Sequence, residues 1–136
     1  KSNMTVTDGT DFKYPLVVLI NRGTASAGEI TAAAISEAGV GTTIGETTFG
    51  TGTVLSSYPL DDGSLLILGT QRWLTPSGKS AWKVGVDPEI PVALGSEIDR
   101  VRPVAGESLT VAQLEAGKDT QLQKAYQVIS QETGER

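Results

Sequence analysis

The residues from Tyr14 to Gly39 constrain the fold more than any other part of the chain. They begin with a short apolar run, Leu16–Ile20, that ends before the turn-forming residues Asn21-Arg22-Gly23. A run of this length, rich in Val and Ile, predicts a buried strand. Apolar residues then recur at helical spacing, and a glycine stands where a helix ends. These residues are Ile30, Ala33, Ala34 and Ala38, followed by Gly39. The stretch therefore predicts a strand, a tight turn and a helix.

Ser26 lies in the predicted turn, directly before the helix. The first N–H groups of a helix point outward, so a serine here is exposed as a nucleophile beside backbone donors for an oxyanion. The alternative is structural, because Ser26 and Glu29 have the Ser-x-x-Glu spacing of a capping box. On local sequence alone the cap is the favoured interpretation, since serine caps helices so often.

Composition excludes several kinds of chemistry. The chain has 136 residues, enough for one domain with a core, and it contains neither His nor Cys. A Ser-His-Asp triad, an imidazole zinc site, a disulfide and a catalytic thiolate are therefore impossible within it. The net charge of −5, without any basic run, argues against nucleic acid and anionic membranes as partners. No apolar run is long enough to span a membrane, and a start at Lys1 indicates a piece of a longer protein.

The glycine-rich loop from Gly45 to Gly52 partly matches a phosphate-binding P-loop. However, Thr51 stands where the P-loop lysine belongs, and Gly52 stands where the hydroxyl residue belongs. The loop also leads into a predicted strand, whereas a P-loop opens a helix. A turn that lets backbone segments approach closely is the better interpretation.

The middle of the chain predicts a β-hairpin. Two β-rich runs, Thr53–Leu60 and Ser64–Leu74, flank Asp61-Asp62-Gly63. The run Leu65–Leu68 is continuously apolar, which predicts burial on both faces. Trp73 and Trp82 are expected to pack the intervening turn against the domain.

The remaining segments are assigned more simply. Lys1–Lys13 predicts a loop or weak edge strand, and the carboxylates Asp87 and Glu89 predict a solvated loop. Residues 93–118 are expected to form a linker, and residues 119–133 a helix. The expected helix opens with a Thr120-x-x-Gln123 capping box, has an apolar stripe and ends at Gly134. The stripe comprises Leu122, Ala125, Tyr126 and Ile129.

Four separated stretches, in order and with fitting spacing, resemble the carboxyl-terminal processing (tail-specific) serine peptidases. They are Pro15–Ile30, Gly45–Val54, Leu74–Ser80 and Gly85–Ile90. The resemblance covers about residues 14–92 and extends to the C-terminal helix. It implies a mixed α/β domain with a ββα core like that of crotonases and Clp proteases. It also reverses the local preference, because Ser26 matches the position of the family's nucleophile.

The resemblance implies Ser–Lys chemistry without a metal or cofactor. A lysine of lowered pKa takes the serine proton, and backbone N–H groups bind the oxyanion, with the N–H of Ala27 implied here. In the family the lysine follows Thr-Phe-Gly, which places Thr51 at that position, and the glutamine that orients the lysine corresponds to Leu55. Neither side chain can do this work, because threonine is no general base near neutral pH. Glu37, where some members carry an acidic residue, is expected to be structural or exposed.

Two functions remain open from the sequence. One is a serine endopeptidase that acts on protein C-terminal regions, and the other is an inactive pseudopeptidase that binds extended peptides or serves as a scaffold. An unrelated hydrolase with a base from outside the chain is a third alternative. The resemblance further implies an upstream catalytic segment and a PDZ module, so association with another segment or a second copy is expected, as is an extracytoplasmic location.

Overall fold

The computed structural model describes residues 14–95 and 100–134, so the loop or strand expected at Lys1–Lys13 lies outside the described residues. The strands and helices are as follows, in chain order: β1 Val17–Ile20, α1 Ala27–Glu37, β2 Thr42–Gly45, β3 Thr53–Pro59, β4 Leu65–Arg72, β5 Ile90–Pro91, α2 Pro103–Gly106, α3 Val111–Glu115 and α4 Thr120–Thr133. The predicted strand–turn–helix is confirmed as β1 and α1. The short strand after it begins at Thr42 and includes Gly45.

A small parallel sheet in the order β1-β2-β5 forms the centre of the molecule. Val17 pairs with Thr42, and Ile44 pairs with Ile90. α1 connects β1 to β2, and both α1 and α4 pack on this sheet. Ile20 and Ile44 are 1% and 0% exposed, so the core lies between the sheet and these helices. The mixed α/β architecture predicted from the sequence is thereby confirmed.

The residues whose spacing predicted α1 do not form its buried face. Ala33 is buried, but Ile30, Ala34 and Ala38 are exposed. The residues that face inward are Glu29, Ala32 and Ala33. Glu29 can face inward because its carboxylate accepts hydrogen bonds from Thr48, Gly50 and Thr51.

The C-terminal helix begins at a different cap from the predicted one. The cap is Asp119, whose Oδ1 accepts the Leu122 N–H at 2.9 Å and whose Oδ2 accepts the Val101 N–H at 3.0 Å. A carboxylate satisfies two donors there, which makes Asp119 a stronger cap than the Thr120 hydroxyl. Gly134 ends the helix in the left-handed conformation, as predicted, with φ of 72°. The short helices α2 and α3 lie within the segment expected to be a linker. None of the helices described is long and apolar enough to cross a membrane.

The predicted hairpin forms as β3 and β4, but its predicted burial is wrong. The two strands pair antiparallel, with an irregularity between Val54 and Leu55. All residues of β4 are exposed, and Leu66 and Ile67 keep 45% and 54% of their surface accessible. No other described helix or strand makes an extensive contact with the hairpin, so neither face is covered. An uncovered apolar sheet agrees with the expectation that another segment or chain packs there, and that association stays a prediction.

This division between the covered sheet and the bare hairpin predicts unequal effects for the same substitution. Ile44→Ala should lower the free energy of unfolding by about 2–5 kcal/mol, because it leaves a cavity in the core. Ile67→Ala, the matched control on the exposed hairpin, should cost under about 1 kcal/mol. Urea unfolding of both variants measures the difference. Equal losses would contradict the assignment of the core to the parallel sheet.

Candidate active site

The turn after β1 is held by Asn21. Its Oδ1 accepts the Gly23 N–H at 2.8 Å, and its backbone carbonyl accepts the Thr24 N–H at 2.8 Å. Its own N–H donates to Oγ1 of Thr24 at 3.1 Å. Asparagine forms such turns because its short side chain binds backbone groups close by in sequence. The turn brings residues 24–26 to the carboxyl end of β1, the edge of a parallel sheet where ligands bind.

Ser26 has a strained backbone at the start of α1. Its φ is 52° and its ψ is −118°, in a region that residues with a Cβ seldom adopt. Such strain costs about 1–3 kcal/mol and persists where the surrounding structure enforces it, often at functional sites. The same kind of sharp strand-to-helix turn exposes the nucleophile of α/β hydrolases. Ser26 is exposed here, so its hydroxyl is accessible to a substrate.

The capping interpretation of Ser26 holds only through its backbone. Ser26 and Glu29 occupy the two ends of a capping box, and the Ser26 N–H donates to Oε2 of Glu29 at 2.9 Å. In return, the Glu29 N–H donates to the Ser26 carbonyl at 3.0 Å, and the hydroxyl makes no cap hydrogen bond. The Ser26 side chain is therefore not committed to its own helix.

Ala27 supplies a backbone donor next to this hydroxyl. It is the first residue of α1, where an N–H has no partner within the helix, and it is exposed. Among the described residues nothing accepts its N–H, whereas the N–H of Ser26 is bound to Glu29. The helix dipole adds a partial positive charge at this end. The Ala27 N–H is thus the donor that geometry leaves available for an oxyanion.

Glu29 is fully buried and accepts four hydrogen bonds from two segments of the chain. Its Oε1 accepts the Gly50 N–H at 2.6 Å and the Thr48 hydroxyl at 2.5 Å. Its Oε2 accepts the N–H groups of Ser26 and Thr51, both at 2.9 Å. One carboxylate therefore joins the start of α1 to the glycine-rich loop.

The charge of Glu29 is stabilised by these donors. Burial by itself raises the pKa of this carboxyl, but the hydrogen bonds, foremost that from Thr48, outweigh it and hold the pKa below the usual 4.5. An ionised carboxylate accepts hydrogen bonds about twice as strong as a neutral acceptor does. Glu29 is accordingly ionised at neutral pH, and backbone N–H groups stabilise its negative charge.

The structure brings Thr51 next to Ser26. Their N–H groups bind the same carboxylate oxygen, so the two nitrogens are separated by no more than two 2.9 Å hydrogen bonds. A further bond from the Phe49 N–H to the Thr24 carbonyl, at 2.9 Å, ties the loop to the turn. Leu55 lies further along, on β3, and is 61% exposed. The loop continues into a strand, as expected for a structural turn and not for a P-loop.

The site has a hydroxyl and an oxyanion donor, but nothing basic at the position of Thr51. Of the nearby lysines, Lys79 belongs to the turn after β4, where its carbonyl accepts the Thr75 N–H at 2.8 Å. Lys83 donates its backbone N–H to the Gly50 carbonyl at 2.8 Å, and its ammonium lies over the ring of Trp82. No cluster of carboxylates suited to a metal ion occurs in the described ranges.

Three carboxylates outside this turn serve as anchors. Glu37 is exposed and accepts the N–H and hydroxyl of Ser77, both at 2.7 Å. Hydrogen bonds from Thr75 and Ser77 lower its pKa. Asp87 and Glu89 are exposed as predicted and bind separate hydroxyls, those of Thr47 and Ser36. Glu37 is exposed, as expected, and is bound to Ser77, and Asp87 and Glu89 lie in an exposed loop, as predicted.

Sequence reasoning missed the second role of Glu29. It identified Glu29 only as the partner of Ser26 in a capping box, because that spacing is local. The bonds to Gly50 and Thr51 span more than twenty residues and depend on the tertiary fold. No local sequence signal indicates this second role of Glu29. Its one sign is that Glu29 lies on the buried face of α1, which only the structure shows.

A serine on a strained strand-to-helix turn, beside a free helix N–H, is the arrangement of serine hydrolases. A sequence profile of Peptidase family S41 matches residues 1–92. The chain therefore belongs to peptidase family S41, a family of proteases that act on protein substrates.

Individual relatives agree with this assignment. The carboxy-terminal processing protease CtpA of Bacillus subtilis (strain 168) is 49% identical over 80 residues, 59% of this chain and 17% of that protein. The solved photosystem II D1 C-terminal processing protease is 43% identical over 58% of this chain and 20% of its own, with a TM-score of 0.55. The tricorn protease, at 20% identity, has the same fold over 85% of this chain and 10% of its own, with a TM-score of 0.63. The chain spans about a quarter or less of the curated relatives it matches.

The Glu29 contacts predict a pH-dependent stability. Because the pKa is lowered on folding, the carboxylate stabilises the fold at pH values above 4.5, and this contribution is lost as the pH falls through the folded-state pKa. Glu29→Gln should cost about 3 kcal/mol at pH 7, since an amide N–H₂ then faces buried donors. The deficit should shrink below pH 4.5.

Urea unfolding at pH 7 and at pH 4 measures this effect. Glu132→Gln, on the exposed end of α4, is the matched control and should change little at either pH. Equal stabilities of Glu29→Gln and the unmodified chain at pH 7 would refute the role given to the carboxylate.

Proposed function

We propose that this chain is the core of a carboxy-terminal processing peptidase domain that binds extended protein C-terminal regions without cleaving them. The observation that carries the proposal is the position of Thr51. The N–H groups of Thr51 and Ser26 bind the same Glu29 oxygen, so Thr51 lies beside the nucleophile. This is the position at which the family's lysine is expected.

The chemistry at this position explains the expected loss of rate. The serine hydroxyl must give up its proton as it attacks a carbonyl carbon, and a general base typically contributes 10²–10⁴-fold to such a step. The threonine hydroxyl cannot accept that proton near neutral pH. Leu55, where an amide would orient a lysine, adds no polar group either. Peptide binding and oxyanion stabilisation would remain, because they use backbone donors.

An active serine endopeptidase is the second candidate. The observation that favours it is that the groups needed for nucleophilic attack are present. Ser26 has a strained backbone and a hydroxyl without a cap hydrogen bond, and the Ala27 N–H has no described acceptor. A strained backbone lowers stability, and such strain is often found at functional sites, which supports a role for Ser26 as the nucleophile. This candidate requires a base from outside the described residues, supplied by an upstream segment or a partner.

The two candidates predict opposite results in a peptidase assay on the full-length protein with an unfolded protein substrate. Under the first, the wild type is silent and Thr51→Lys gains about 10²–10⁴-fold in cleavage rate. Thr51→Met is the matched control, with a long side chain but no amine, and should stay silent. Adding Ser26→Ala to Thr51→Lys should abolish the gain.

Cleavage by the wild type that disappears in Ser26→Ala would overturn the first candidate and support the second. A double variant, Thr51→Lys with Leu55→Gln, tests whether the orienting amide is also needed. If it too is silent while remaining folded, the assignment of Thr51 to the position of the base is wrong.

A further inference from the structure

Two cations lie on the ring of Trp82. The guanidinium carbon of Arg72 is 3.7 Å from the ring centroid, and the ammonium of Lys83 is 4.6 Å from it. Both basic side chains are exposed, Trp82 is half-buried, and no described carboxylate forms an ion pair with either cation. The chain as a whole carries a charge of −5, so this pair is a local concentration of positive charge on an acidic protein.

The backbone fixes this cluster against the glycine-rich loop. A Cβ on Gly52 would collide with the backbone nitrogen of Trp82, so the two segments touch directly. Lys83 donates its N–H to the Gly50 carbonyl at 2.8 Å, and Arg72 pairs with Thr53 across the hairpin. The cluster is thus anchored on both sides of Thr51.

Lys83 also adopts a strained conformation. Its φ is 64°, a value that glycine adopts far more readily than lysine. Strain of this kind is maintained where the surroundings require a particular side chain in a particular place. Here the outcome is an ammonium held on the same indole as a guanidinium, although the two like charges repel each other.

We propose that Arg72 and Lys83, held on Trp82, form a binding site for the terminal carboxylate of an extended polypeptide. The proposal rests on the function proposed above and names the feature of the substrate that the site recognises. A guanidinium offers a planar pair of N–H donors that fits a carboxylate, and an ammonium adds a second charge. Ring contact holds each cation in place and lowers the entropy lost on binding.

The position of the cluster fits this role. The backbone of the cluster contacts both neighbours of Thr51: the Gly50 carbonyl accepts the Lys83 N–H, and Gly52 lies against Trp82. The Thr51 N–H in turn shares a Glu29 oxygen with the Ser26 N–H. Because an extended chain advances about 3.3 Å per residue, the proposal requires a terminal segment of a few residues between a carboxylate bound at the cluster and a peptide bond at Ser26. A site for the terminal carboxylate would select the ends of polypeptides over internal segments.

Binding assays on the full-length protein with Ser26→Ala test the proposal by fluorescence anisotropy. Three labelled peptides of one sequence are compared: a free acid, a C-terminal amide, and an amide with an added internal Glu. The free acid should bind about tenfold more tightly than the plain amide, and raising the salt concentration should reduce this advantage. Arg72→Gln with Lys83→Gln should abolish the advantage without weakening the amide.

Lys118→Gln with Lys124→Gln is the matched control, since it removes the same charge at and just before α4. Lys83→Gly is a second variant that suits the positive φ and therefore cannot fail through added strain; it should reduce the preference for the free acid about threefold. Melting temperatures verify that each variant is folded.

Several results would overturn the proposal. Equal affinities for free acid and amide would exclude a carboxylate site while leaving peptide binding intact. If the amide with an internal Glu bound as tightly as the free acid, the site would recognise an acidic side chain and not a terminal carboxylate. If the Arg72→Gln, Lys83→Gln variant lost affinity for the free acid and the amide equally, the role of the two cations would be structural only. Absence of binding by all three peptides would refute the proposed function together with the site.

Discussion

The buried carboxylate of Glu29 is the interaction on which the rest of the structure depends. Its two oxygens accept hydrogen bonds from the start of α1 and from the glycine-rich loop. No other described side chain binds both segments in this way. Because a buried anion is costly without partners, the segments that supply the donors must stay in register with it. The strained backbone of Ser26, the inward face of α1 and the path of the loop all follow from this requirement.

The same carboxylate would keep the shape of the site in the absence of a base, as the proposed function requires. Its contacts to the loop use the backbone N–H groups of Gly50 and Thr51, and these do not depend on the side chain at residue 51. A lysine and a threonine therefore fit the same loop geometry. The architecture of the site and its catalytic competence are separable, since different atoms of the same residues are responsible for them.

The sequence was sufficient for the local features and for the overall architecture. The run Leu16–Ile20 and the spacing after it predicted β1 and α1, and Asp61-Asp62-Gly63 predicted the turn of the hairpin, because these signals lie within a few residues. Ser26 and Thr51 were paired through family resemblance, and the structure places them together. Their catalytic assignment stays a prediction.

What the sequence did not reveal depends on long-range contacts. Leu65–Leu68 look like a doubly buried strand, yet burial requires covering segments that the described residues do not contain. The helical repeat of Ile30, Ala34 and Ala38 does not reveal that these residues are exposed and that Glu29, which binds donors from the loop, faces inward. Thr120 was expected to cap α4, and Asp119 does so because it also binds Val101. In each case tertiary partners overrode a local rule.

The bare hairpin has a consequence for how stability is distributed along this chain. A two-stranded sheet without a covered face is marginal by itself, whereas the parallel sheet holds the buried isoleucines. We therefore expect local opening of β3 and β4 to cost far less free energy than opening of β1 and β2, and the amide protons of the hairpin to exchange faster than those of the parallel sheet. The boundary between them falls at Gly52, so Thr51, which we propose to occupy the position of the base, lies where the rigid part of the domain meets the labile part.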